Sequence, residues 1–342
     1  MSPTPIDRPR IALIGCGAIA EAFHLPALAR HASSLSEWIL VDPDQERAGE
    51  LAARFGASGT AADYREVLGR IDGAIVAVPH HLHQPISLDC VRRGVSVLCE
   101  KPLAEEPDAA REVIEAAASH GAALMVNQTR RLFPASQRVR AWLAEGRLGA
   151  LRQIDYTMGE PFDWPAATPS YFGARHGGKG VLLDTGAHIV DLVCWWLGGR
   201  PELVDYHDDS WGGTEAVADL ELALGDCRAH VRLSWLSKLS NRYRIVGERG
   251  TIEGGAYDWG FFHHSEGGGA PRKVKAVAGH VGFEEFAARL AENFVDVLRG
   301  RAQPLVPASE VLASLEVMDE CYARRARFEM PWHNAWEQTA VG

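Results

Sequence analysis

Through the first third of the chain, short apolar runs alternate with stretches whose apolar positions recur at helical spacing. The runs are Ile11-Ala12-Leu13-Ile14, Trp38-Ile39-Leu40-Val41, Ala74-Ile75-Val76-Ala77-Val78, Val95-Ser96-Val97-Leu98-Cys99 and Ala123-Leu124-Met125-Val126. Each is too short for a helix and apolar on both faces, the pattern of a parallel strand covered on either side. The stretches between them fit helices ending near Arg30, spanning 45–55, ending near Arg93 and running from about Glu106 to His120. Strand and helix in alternation predict an α/β fold with a doubly wound parallel sheet.

Beyond Asn127 the pattern changes. A helix is expected from Arg130 to about Glu145, and Leu151 to Met158 alternates as a half-buried strand. The Pro- and aromatic-rich stretch Glu160–Arg175 reads as a long loop, and a strongly apolar helix follows over 185–197. Alternating segments near 202–208, 215–224, 227–236, 242–247 and 250–254 predict an antiparallel sheet. Residues 265–280 read as a surface loop, and helices near 283–299 and 308–326 close the chain. The expected division is therefore 1–127 and 128–342, the second part being α+β with a large, mainly antiparallel sheet. Its outer face is expected to carry some of Trp211, Trp235, Leu236 and Tyr243, which would suit a homo-dimer or homo-tetramer interface.

Composition narrows the partners. A net charge of −10 over 342 residues, with no long basic run, argues against nucleic acid. The six cysteines form no CxxC pair and sit mostly in apolar runs, as in a reducing compartment. Met1 to Pro9 lacks a signal-peptide core and no apolar run reaches membrane-spanning length, so no membrane and a cytoplasmic location are expected.

Chemistry concentrates at the strand ends, where ligands of such sheets bind. The turn Gly15-Cys16-Gly17-Ala18-Ile19-Ala20 joins strand to helix. Its first glycine permits the turn, and its second lets backbone approach a pyrophosphate at the helix start. Asp42 ends the next strand, where an acid binds ribose hydroxyls, and Pro43 follows rather than a basic residue; NAD is expected over NADP. Asp44 is read as the cap of helix 45–55. Val78, Pro79, His80 and His83 would line the nicotinamide pocket; His80 and His81 are adjacent and cannot easily converge, so no metal is assigned. Lys101, held before Pro102, and Asn127 lie at later strand ends. On helix 185–197, Asp184, His188 and Asp191 share a narrow arc. Two readings of that arc stand: a polar site, or a helix cap at Asp184 and a satisfied core histidine.

In order and spacing, these residues resemble the glucose–fructose oxidoreductase / inositol dehydrogenase (Gfo/Idh/MocA) family. The resemblance is carried by Gly15 to Ala20, Val78 to His83, Glu100-Lys101-Pro102, Arg131-Leu132-Phe133-Pro134, Asp184 to Asp191 and Ile245 to Ile252. It implies a Rossmann domain that binds NAD, with Glu100 among the contacts, and a second domain that holds a sugar or cyclitol. It also implies a catalytic group of Lys101, Asp184 and His188. Under it, His188 is the acid/base, Lys101 stabilises the reacting oxygen, and Asp184 orients His188 or binds a neighbouring hydroxyl. Arg131, Asn127, Tyr156, Trp164 and Arg175 are further candidates for substrate contacts. Lys179 stands where the family usually has glycine, an extra cation expected near the substrate mouth; Tyr171 to Arg175 lacks the usual tryptophan–arginine pair. Two other activities share this layout: an NAD-dependent glycosidase or lyase with retained cofactor, and a non-catalytic NAD-binding regulator.

Overall fold

The computed structural model describes residues 6–165, 179–210, 214–279 and 281–329. Tyr171, Arg175 and Trp211 lie outside these. The first sheet is wholly parallel. It contains β1 (Arg10–Ile14), β2 (Glu37–Val41), β3 (Gly59–Ala61), β4 (Gly73–Val76), β5 (Ser96–Cys99) and β6 (Leu124–Val126), in the order β3-β2-β1-β4-β5-β6. Helices α1 (Leu25–His31), α2 (Gln45–Phe55), α3 (His83–Val91) and α4 (Pro107–His120) connect the strands. The strand order reverses between β1 and β4, so the loops after these two strands part and open a crevice. Asp44 caps α2 as expected, its side chain accepting the Arg47 N–H at 3.0 Å.

After β6 a 3-10 turn, Thr129–Leu132, leads into α5 (Pro134–Ala144). Then come β7 (Leu151–Gly159), α6 (Val181–Leu197), β8 (Glu202–Asp208), β9 (Val217–Leu224), β10 (Cys227–Ser234), β11 (Arg242–Gly247), β12 (Gly250–Gly255), β13 (Phe261–Glu266) and β14 (Arg272–Lys275). The chain continues through α7 (Glu284–Leu298), α8 (Leu312–Ala323) and β15 (Ala326–Arg327). The second sheet runs β14-β13-β12-β11-β7-β10-β9-β8-β15; its pairs are antiparallel except β7 with β10 and β8 with β15. Strands β13 and β14 occupy part of the stretch expected as loop.

Helix α6 lies on the inner face of this sheet, against β9 and β10. Among the described residues the outer face of the central strands is polar, where a partly apolar one is expected. Asp219 takes hydrogen bonds from His230 and Arg232, and Arg244 pairs with Glu253. Tyr243 points inward, 4% exposed, and Leu236 stands in the turn after β10. The C-terminal segments return to the first sheet. Gly73 of β4 packs beside Phe294 and Leu298 of α7, and Met125 of β6 bridges to Pro307. Among the described residues no helix is long and apolar enough to cross a membrane.

Candidate active site

Gly15 leaves β1 with φ +99°, and a Cβ there would stand 2.4 Å from the Ala77 carbonyl oxygen. Only glycine permits that approach. At Gly17 a Cβ would meet no protein atom within 4 Å, so the backbone faces open space. From Ala18 the chain turns helical, through a π-helical stretch Ala20–His24 into α1. The first N–H groups of such a helix have no intrahelical acceptor, and Ala18 and Ile19 border the crevice. Asp42 ends β2 beside them, accepting the Cys16 N–H at 2.7 Å and the Asp44 N–H at 2.9 Å. Each carboxylate oxygen retains a lone pair for a ribose hydroxyl. Glycine turn, helix start and acid together fit a dinucleotide.

A cleft of about 650 Å³ runs from this loop to α6. Val78, Pro79, His80 and His83 form one wall. The ring nitrogens of His83 lie 2.6 Å from the Pro102 carbonyl oxygen and 2.8 Å from that of Val78. His83 therefore braces two turns and has no nitrogen left for a ligand. At the far end Lys101 extends its ammonium to Asp184, 2.5 Å from Oδ1 and 3.0 Å from the backbone oxygen. Asp184 thus holds Lys101. His188, one turn further along α6, lines the same cleft, and its buried Nδ1 has no hydrogen-bond partner among the described residues. Burial first, then the positive charges of Lys101, Arg130 and His80, keep the imidazole well below its ordinary 6.5.

Two buried networks fix these groups. Behind Lys101, the Glu100 carboxylate meets His24 Nε2 and Asn127 Nδ2, each at 2.6 Å, and Thr129 donates to Asn127. Burial alone would push the Glu100 carboxyl up, but these partners and the Lys101 charge hold it below the ordinary range. Helix α6 begins at Val181, not 185, so Asp184 lies in its first turn and is not its cap. The cap residue is Gly180, whose missing side chain makes room: a Cβ there would lie 2.0 Å from the Glu215 carbonyl oxygen. Glu215, fully buried just before β9, supplies the absent acceptor. Its Oε1 takes the N–H of Gly180 at 2.7 Å, the N–H of Leu182 at 3.1 Å and the Tyr322 hydroxyl at 2.8 Å. Arg325 donates to its other oxygen at 3.1 Å.

Several expected substrate contacts are elsewhere. Arg131 is 4% exposed and forks onto Asp191 with two 2.7 Å hydrogen bonds, while Nη1 reaches Glu310. Asp191 therefore leaves the arc of Asp184 and His188 for a buried ion pair. Tyr156, 1% exposed, stacks on Tyr243 and Trp196 in the core beneath the sheet. Asn127 serves Glu100 and does not line the cleft. Lys179 turns to the start of α4, donating to the Glu105 carbonyl oxygen at 2.7 Å and pairing with Glu106, away from the substrate mouth. Trp164 does line the cleft, and Arg175 is outside the described residues. Sequence reasoning missed Arg130 and also Trp235, whose indole donates to Thr185 at 3.2 Å; both border the cleft beside His188.

Known proteins match this architecture over most of its length. A family model described as "Oxidoreductase family, NAD-binding Rossmann fold" matches residues 9–128, and one described as "GFO/IDH/MocA C-terminal domain" matches residues 136–253. A myo-inositol dehydrogenase of Streptomyces leeuwenhoekii is 32% identical over 281 residues, 77% of this chain and 81% of that one. The rhizopine catabolism protein MocA of Rhizobium meliloti is 28% identical over 316 residues, 92% and 94% of the two chains. A levoglucosan dehydrogenase solved with NADH and levoglucosan superposes with a TM-score of 0.81 at 19% identity, covering 93% of this chain and 97% of that one. The chain belongs to the Gfo/Idh/MocA family of NAD-binding oxidoreductases.

Proposed function

We propose that the protein is an NAD-dependent dehydrogenase acting on a secondary alcohol of a sugar, sugar derivative or cyclitol, with His188 as its acid/base. The observation that carries this reading is one cleft joining the dinucleotide loop to Lys101, Asp184 and His188, whose Nδ1 has no partner among the described residues. Relatives named for inositol and levoglucosan support the substrate class.

NAD, when bound along Gly15, Gly17 and Asp42, supplies the hydride acceptor. His188, neutral near pH 7, takes the hydroxyl proton. Lys101 donates to the same oxygen and stabilises its developing negative charge, worth about 2.7–4 kcal/mol for one such donor. Asp184 aims the Lys101 side chain. The His24–Glu100–Asn127 network holds the turn from which Lys101 projects.

The test is to mix purified protein with NAD and a panel of sugars, cyclitols and glycosides, and to follow NADH. Steady NADH formation that disappears in His188→Asn is the expected result. Glycoside cleavage without accumulating NADH would favour retained-cofactor chemistry, and nucleotide binding without any turnover would favour a regulator.

A further inference from the structure

Three Lys and Arg side chains border the cleft among the described residues, and two of them are paired. Lys101 faces Asp184, and Arg47 at the nucleotide end faces Glu21. Arg130, in the turn Thr129–Leu132, is half-buried and borders the cleft, yet it makes no ion pair among the described residues. Its Nη1 donates to the Ala256 carbonyl oxygen at 3.0 Å, and its Nη2 lies 3.1 Å from the Met158 thioether sulfur, a weak acceptor. The Phe133 ring stands 5.8 Å from its Cζ. A guanidinium drawn partly out of water and left with a carbonyl, a sulfur, a ring and the Tyr156 hydroxyl still has N–H groups without a strong acceptor. Gln128, two residues before Arg130, donates to the Ala187 carbonyl oxygen of α6 at 2.9 Å, so the turn that carries Arg130 lies at the end of the cleft that holds His188 and not at the nucleotide end.

We infer that Arg130 reads a carboxylate on the substrate, so that the site prefers a sugar acid or carboxylated cyclitol to its neutral counterpart. This inference rests on the dehydrogenase reading of the same site. The planar fork of an arginine matches a carboxylate with two parallel hydrogen bonds. A phosphate dianion fits less well, because one unpaired cation balances one charge. Glu160 and Asp163 border the same cleft and would repel a second.

The test measures binding apart from turnover. The full-length protein, saturated with NAD, is titrated with matched trios: D-glucose, D-glucuronate and D-glucose 6-phosphate, and the corresponding galactose set. Trp164 and Trp235 line the cleft, so tryptophan fluorescence reports occupancy. In at least one trio the acid should bind about 10–100-fold more tightly than the neutral sugar, the range for hydrogen bonds to a charged group. Arg130→Gln should shrink that ratio towards one, and Arg130→Lys should restore part of it. Equal binding of acid and neutral sugar by the wild type, a ratio unchanged in Arg130→Gln, or tightest binding of the phosphate would each overturn the inference. Should Arg130→Gln fail to fold, the wild-type ratio decides. Selective acid binding without NADH formation would instead count against the dehydrogenase reading alone, and turnover confined to neutral sugars against Arg130 alone.

Discussion

The Glu215 carboxylate closes the N-terminus of the helix that carries Asp184 and His188, taking the Gly180 N–H at 2.7 Å from 35 residues further along the chain. It also anchors Tyr322 and Arg325, so it sits where α6, α8 and the strands behind them meet. Glu215→Gln keeps one acceptor but turns an amide NH2 towards a donor. It should lower the unfolding free energy by about 1–3 kcal/mol, the cost of an unsatisfied buried group. Denaturant unfolding measures this; an unchanged midpoint would remove Glu215 as the cap.

His188→Asn should reduce turnover by about 10²–10⁴-fold, the range for a general acid–base residue, with the melting temperature and NAD affinity nearly unchanged. A core histidine would behave oppositely, lowering the melting temperature while activity per folded molecule persisted. Calorimetry, nucleotide titration and initial rates on one preparation separate the two.

The depressed titration of His188 gives that residue a pH signature. A base must be deprotonated to act, so the acidic fall in kcat/KM should lie below pH 6.5. Stability follows the same sign. Below about 6.5 the unfolded chain binds a proton at this site that the folded chain refuses, so this contribution is lost as pH falls. An acidic limb at or above 6.5 in wild type, or one that survives in His188→Asn, would contradict the assignment.

Arg131 offers a contrast with its neighbour. Arg131→Met strips the partner from the buried Asp191 carboxylate and should cost about 3–5 kcal/mol of stability, as for one half of a buried ion pair. KM for folded enzyme should move little. A large KM change with normal stability would return Arg131 to the substrate site.

Asp42 should set cofactor choice, because a carboxylate accepts ribose hydroxyls and repels a 2′-phosphate. Asp42→Ser with Pro43→Arg should shift preference towards NADP. Because Asp42 also holds the Cys16 N–H, the double variant should bind NAD at least about ten-fold more weakly than wild type, as for loss of a charged acceptor. Nucleotide titration of both proteins checks the two effects; a wild type that already favours NADP would refute the assignment.

The parallel sheet is legible in the sequence because strands such as β1, β4 and β5, buried on both faces, spell uninterrupted apolar runs. Strand β3, three residues at an edge, writes no such run. Strands β13 and β14 are half-exposed and carry histidines and lysines, so their alternation is faint. The loop glycines, Asp42, Lys101 and His188 could be placed because their spacing is tied to strand ends or helix turns. Arg130 and Arg131 could not be told apart. They are adjacent in a 3-10 turn, where neighbours point about 120° from each other, and only packing decides which faces the cleft. Glu215 is silent for a related reason: a cap supplied from a distant strand leaves no local pattern.

The return of α7 to the first sheet bears on how the protein is made. Phe294 and Leu298 close the packing beside Gly73, and the Pro307 bridge sits on the edge strand β6. A ribosome adding about 5–20 residues each second finishes the nucleotide-binding strands long before those residues exist. The emerging half therefore waits with bare apolar surface, and it is sealed only as the last helices leave the exit tunnel. In the cell, chaperone demand should peak during that interval.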